Sequence, residues 1–154
     1  MESPTDLTAE ADSPSDVHAN GVRLPEPWRR ACLAQESLRQ MGRPRVNTLL
    51  IGADDVVWRV LGTSLNLASP IASWRPGEPL RLPDFTSVRT LVIRDLALMD
   101  GSEQVRLLEW LDRASGHVQV VCTSSDALLP LVEDGSFINA LYYRLNTICI
   151  DLTA

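Results

Sequence analysis

Four short clusters hold the side chains best suited to chemistry: Gly52-Ala53-Asp54-Asp55, Arg94-Asp95, Thr123-Ser124-Ser125, and Arg144. The first three each follow a short apolar run, and in an open parallel sheet ligands bind just beyond the carboxyl ends of the strands. A glycine that leads into a helix can offer backbone N–H groups to a phosphate, and a lysine completes such a site. Here two carboxylates follow the glycine and the chain has no lysine; all 14 of its basic residues are arginine. Asp54 and Asp55 would repel phosphate, whereas carboxylates capping a helix start are favoured by its dipole. Arg94 beside Asp95 disfavours a divalent cation, since each pair of unit charges about 4 Å apart costs roughly 4 kcal/mol at an effective dielectric near 20. An ion pair of Arg94 with Asp95, Asp54 or Asp55 is expected instead. Ser124 and Ser125 can hydrogen-bond, and Ser125, ahead of Ala127 and Leu128, suits a helix cap.

Positioning these clusters requires alternating strands and helices. Residues 1–20, rich in Ser, Thr, Pro, Asp and Glu without apolar periodicity, are expected to form a disordered leader. Pro27 suits a first helical position, and Trp28, Ala31, Ala34, Leu38 and Met41 follow at helical spacing up to Gly42. Residues 47–52 read as a buried strand, and Val57, Val60, Leu61, Ser64 and Leu65 as the helix after it. Between residues 68 and 88 four prolines leave room for one short strand at 71–75. Residues 89–96 look like a central parallel strand. Asp100 and Glu103 form a helix-start capping pair ahead of the apolar stripe Val105, Leu108 and Leu111, and residues 117–122 form the next strand. The fold class expected is α/β, a three-layer sandwich with a mainly parallel sheet.

Residues 128–152, LLPLVEDGSFINALYYRLNTICIDL, read as helix, break at Gly135, helix, strand. This string resembles the end of the core ATPase domain of bacterial sigma-54-dependent transcription activators. The match consists of Leu131-Val132, Gly135, Phe137 and the run Leu141-Tyr142-Tyr143-Arg144-Leu145-Asn146. The resemblance implies a P-loop NTPase (AAA+)-like fold over residues 27–154, shortened in the middle and without the helical lid. It also implies that Gly52, Asp54 and Asp55 stand at the phosphate loop, and that Arg94 and Asp95 replace an Asp-Glu pair that holds magnesium and activates water. Ser124 and Ser125 take the place of a Thr-Asn phosphate sensor. Arg144 matches one of two subunit-bridging arginine fingers; Ile138 occupies the other place. The family uses ATP and magnesium; with these replacements no cofactor and no ATPase activity are expected.

The remaining features narrow the function. A net charge of −6 and a pI near 4.8 argue against a broad basic surface, and no DNA-binding segment is recognised. No GAFTGA loop is present, so direct sigma-54 contact is not expected. The expected partner is a protein, a full-length activator being one candidate, in the bacterial cytoplasm. Cys32, Cys122 and Cys149 lie in apolar surroundings without metal-ligand spacing, which suits reduced thiols. His18 and His117 lie in no catalytic motif, and the four tryptophans suit packing. A second reading is a phosphoacceptor receiver-like domain, in which Asp54, Asp55, Asp95 and Thr123 imitate an acidic pocket, though its lysine is missing. A third is a nucleotide-binding subunit completed by a partner, with Arg59 or Arg75 replacing the lysine.

Overall fold

A computed structural model describes Arg29 and residues 46–153 except 64 and 66; the leader, and all of the helix expected over residues 27–41 but Arg29, lie outside the described residues. The described elements are β1 (Thr48–Ile51), α1 (Asp54–Thr63), β2 (Ile71–Trp74), β3 (Thr90–Ile93), a 3-10 turn (Leu96–Leu98), α2 (Gly101–Ala114), β4 (Gln119–Ser124), α3 (Leu129–Glu133), α4 (Asn139–Leu145) and β5 (Ile148–Asp151). All five strands are parallel, in the order β2-β3-β4-β1-β5.

Alternate side chains of the central strands point to opposite faces, and each face has its own apolar layer. Leu49, Ile51, Leu91, Ile93, Val120 and Cys122 pack with α2 and α4 through Leu107, Trp110, Leu111, Leu141 and Leu145. On the other face Leu50, Val121 and Ile150 meet Val57, Val60 and Leu61 of α1. The result is the expected helix-sheet-helix sandwich, in which β1 and β3 are buried at every position.

The C-terminal pattern is as expected. Leu128, Phe137, Leu141 and Leu145 are buried, and Gly135 ends the α3 segment at φ +84°, a backbone angle that glycine adopts without Cβ strain. Asp100 and Glu103 form a complete capping box on α2.

Five expectations need correction. β3 does not continue to residue 96, because Asp95 turns left-handed (φ 46°, ψ 56°) and a 3-10 turn follows. The buried stripe of α2 is Gln104, Leu107, Trp110, Leu111 and Ala114; Val105 faces solvent, so its stripe is rotated from the one read from Val105 and Leu108. Ser125 caps no helix: α3 starts at Leu129 with Leu128 before it and no side-chain cap bond. Asp54 and Asp55 occupy the first turn of α1 rather than its N-cap, with the carbonyl of Ala53 accepting from Val57 N–H at 3.0 Å. Cys149 is exposed on β5, while Cys122 alone of the described thiols is buried.

The receiver-like reading is also overturned. That architecture orders its strands 2-1-3-4-5, with the first strand between the second and third. Here β1 lies between β4 and β5, so the acidic residues after β1 and β3 are separated by a whole strand.

Candidate functional site

At the carboxyl rim of the sheet, β1, β3 and β4 deliver Gly52, Arg94 and Ser124 to neighbouring positions. Gly52 is buried between strand and helix. Its N–H donates to the Ser124 carbonyl at 2.9 Å, and a Cβ built on it would stand 2.9 Å from Cβ of Leu152. Only Ala53 separates it from the first residue of α1, so no wide loop of free N–H groups forms here.

Arg94 leaves β3 with its N–H bound to the Trp74 carbonyl at 3.0 Å. Its guanidinium lies across the start of α1 and bonds Asp54 through Nη2, at 3.0 Å to Oδ2 and 3.3 Å to Oδ1. The same guanidinium sits 4.5 Å from the ring centroid of Trp58, whose Nε1–H donates to Asp54 Oδ1 at 3.0 Å. Three side chains therefore close on one another. Of the three carboxylates considered, Asp54 is the one that pairs with Arg94. Asp55 is exposed beside it.

Asp95 follows in its left-handed turn, its N–H donating to Thr123 Oγ1 at 3.1 Å. Ser124 is buried and its hydroxyl donates to the Asp126 carbonyl at 2.6 Å; Ser125 is exposed. Ser124 is thus tied through its carbonyl and its hydroxyl to backbone groups of this rim. Trp58 was not singled out as a site residue from sequence, although its place four residues after Asp54 sets both on one helix face.

Arg144 lies elsewhere. It is in the last turn of α4, pairs with Asp112 of α2 and lends its carbonyl to Asn47 Nδ2 at 2.9 Å. A pocket of about 350 Å³ lies here, lined in part by Asn47, Gly116, Arg144 and Thr147, at the amino ends of the strands. The sheet separates it from Arg94. Among the described residues no group of three or more His, Cys, Asp or Glu could hold a metal ion, and no helix is long and apolar enough to cross a membrane.

ATP and magnesium do not suit the residues of the carboxyl rim. The Arg94 guanidinium already pairs with Asp54 at the head of α1, and the Gly52 N–H is committed to the Ser124 carbonyl.

Comparison with known proteins agrees with this architecture. The ATP complex of NtrX from Brucella abortus has a TM-score of 0.64 and 13% identity, covering 90% of this chain and 40% of that one. The ADP complex of the same protein gives 0.57 and 16%, over 79% and 36%. The Holliday junction branch migration motor RuvB of Thermotoga maritima gives 0.53 and 16%, over 82% and 44%. At these identities the likeness is one of fold, a P-loop NTPase of AAA+ type. This chain spans between 36% and 44% of the length of those structures. No curated protein matches. A family model described as the Sigma-54 interaction domain matches residues 66–154, more than half of the sequence, and the chain belongs to that family.

Proposed function

We propose that this sigma-54 interaction domain has lost nucleotide chemistry and works by protein contact in bacterial transcription regulation or signalling. The observation that carries the reading is the Arg94–Asp54 pair stacked on Trp58. On the resemblance, Arg94 corresponds to the family's metal-binding carboxylate and Asp54 lies where phosphates would be received, and the pair supports this reading. Repulsion at both places disfavours a magnesium-bound triphosphate. The missing lysine removes the point charge that a phosphate loop supplies.

In this reading Arg144 is a structural residue that ties α4 to α2 through Asp112, rather than a finger directed at a neighbour's phosphates. The partner is a protein, and a full-length activator with the same fold is the natural candidate, since related subunits share self-complementary surfaces. Purified full chain incubated with ATP and magnesium should release no phosphate above a buffer control. Turnover that disappears in Asp95→Ala would refute the proposal.

A further inference from the structure

A second feature of the carboxyl rim lies beside the Arg94 cluster, on the outer two strands. β2 and β3 pair in parallel with Trp74 opposite Ile93, so the next residues, Arg75 and Arg94, leave adjacent strands side by side. Neighbouring strands lie about 4.8 Å apart, and like charges directly opposite destabilise a sheet. Each guanidinium is offset by a carboxylate on its own flank. Arg75 Nε donates to Glu78 Oε1 at 2.8 Å, and Arg94 bonds Asp54. Both pairs are open to solvent, with side-chain exposures of 63% and 50% for Arg75 and Glu78, and 29% and 57% for Arg94 and Asp54. Exposed ion pairs of this kind are readily exchanged.

The two arginines open onto one cleft. Its volume is about 240 Å³, and it is lined by Trp58, Ser73, Trp74, Arg75, Glu78 and Arg94. Ser73 lies two residues before Arg75 and so faces the same side of β2, adding a hydroxyl to the donors. Trp58 and the Nε1–H bond of Trp74 to the Glu78 carbonyl, 2.9 Å, hold the walls. Arg94 Nε is buried and makes no hydrogen bond, so this guanidinium has bonding capacity that Asp54 does not use.

We propose that this cleft binds a small phosphate-bearing ligand, gripped by Arg75 and Arg94 after Glu78 and Asp54 swing away. Guanidinium groups bind phosphate through two parallel N–H bonds, and two of them side by side match its several oxygens. At about 30 Å³ per water the cleft has room for roughly eight waters, enough for a phosphomonoester of a small molecule. It falls below the roughly 300–1,000 Å³ of pockets that enclose larger ligands, which favours a small phosphate-bearing molecule over a nucleoside triphosphate. The site shares Arg94 with the reading above and rests on it only there; Arg75 is on the edge strand, with β3 and β4 between it and β1, and Arg75→Ala tests the cleft without touching the Arg94–Asp54 pair.

Inorganic phosphate is the probe, titrated into the full chain at constant ionic strength with chloride as control, and followed by tryptophan fluorescence and calorimetry. A saturable response in the millimolar range is expected. Arg75→Ala should weaken it about tenfold or more, from the loss of charge-assisted bonds, while its circular dichroism stays that of the parent. Glu78→Gln, which frees Arg75, should tighten it by about twofold to fivefold. Arg144→Ala, at the opposite end of the sheet, should leave it unchanged. No saturation, equal binding by folded Arg75→Ala, or weaker binding by Glu78→Gln would each overturn the proposal.

Discussion

Replacing Gln104 by leucine should cost this fold more than its polar character suggests. Gln104 is 2% exposed on the inner face of α2, and its carboxamide serves three separate backbone segments. Nε2 donates to the Met99 carbonyl at 3.0 Å and to the Ser136 carbonyl at 3.1 Å, while Oε1 accepts from the Ile138 N–H at 2.8 Å. One side chain therefore pins the end of the 3-10 turn, the break after α3 and the start of α4 to the same helix. Leucine has similar bulk and the better hydropathy, but strands all three backbone groups. Each buried group left without a partner costs about 1–3 kcal/mol. Ser136 is exposed, so water can recover its carbonyl, and the net loss is about 2–4 kcal/mol. With a urea slope of about 1–3 kcal/mol per molar, the unfolding midpoint should fall by about 1–2 M. Equilibrium urea melts of parent and Gln104→Leu, read by far-ultraviolet circular dichroism, measure this directly. A midpoint within about 0.3 M of the parent would show that water satisfies these groups as well as the carboxamide does, and the reasoning would fail.

Three further outcomes follow from other residues. Gly52→Ala places a Cβ 2.9 Å from Leu152 Cβ and should lower stability by about 1–3 kcal/mol in the same melts, because both atoms are held by packed backbone. The carboxyls of Asp134 and Asp151 are held below the usual carboxylate range by hydrogen bonds from Ser136 and Thr153, so their contribution is present above the unfolded value near 4 and lost as pH falls through the lower folded values. Melting temperature should accordingly drop between pH 4 and pH 2.5, less steeply in Ser136→Ala. Burial pushes the Cys122 thiol far up, and burial with the Asp151 charge raises Cys149, so peptide mapping after maleimide treatment should find Cys149 modified slowly at pH 7 and faster as pH rises. Cys122 should react only in denaturant.

Much of the sandwich was legible because short apolar runs and helix-spaced leucines report burial directly. Residues 128–152 are the best case: Gly135 and the Phe137, Leu141, Leu145 repeat mark the break and the helix in the local pattern, even though β5 is completed by pairing with the distant β1. Asp100 and Glu103 were equally readable, since a capping box is a local event. The stripe of α2 was misread because its innermost position is a glutamine, whose burial depends on carbonyls and an N–H up to 34 residues away. The end of β3 was misplaced for a similar reason. Arg94 and Asp95 extend an apolar run in sequence, but the Thr123 hydroxyl from the neighbouring strand holds Asp95 N–H in the left-handed turn. Of the rim cluster, the ion pair was foreseeable as one of three carboxylate choices. The indole that unites it was not, because Trp58 reads as ordinary packing until Arg94 arrives from the far side of β4. The arginine pair on the outer strands needed the register of β2 against β3, which lies beyond any local pattern.

The position of β1 has a consequence for how this chain reaches its native state. Its neighbours are β4 and β5, and Thr48 meets Val121 and Ile148 in the finished sheet. A ribosome therefore releases this fully buried apolar strand long before either of its flanks exists. Until β4 has left the exit tunnel Thr48–Ile51 has both backbone edges bare, and the edge that β5 covers stays bare until residue 151 follows. Such late, distant closure makes acquisition of the native form slow and exposes a sticky segment meanwhile. Cells making this protein quickly would be expected to need a holding chaperone for the interval, and shortened versions ending before β5 should collect in inclusion bodies.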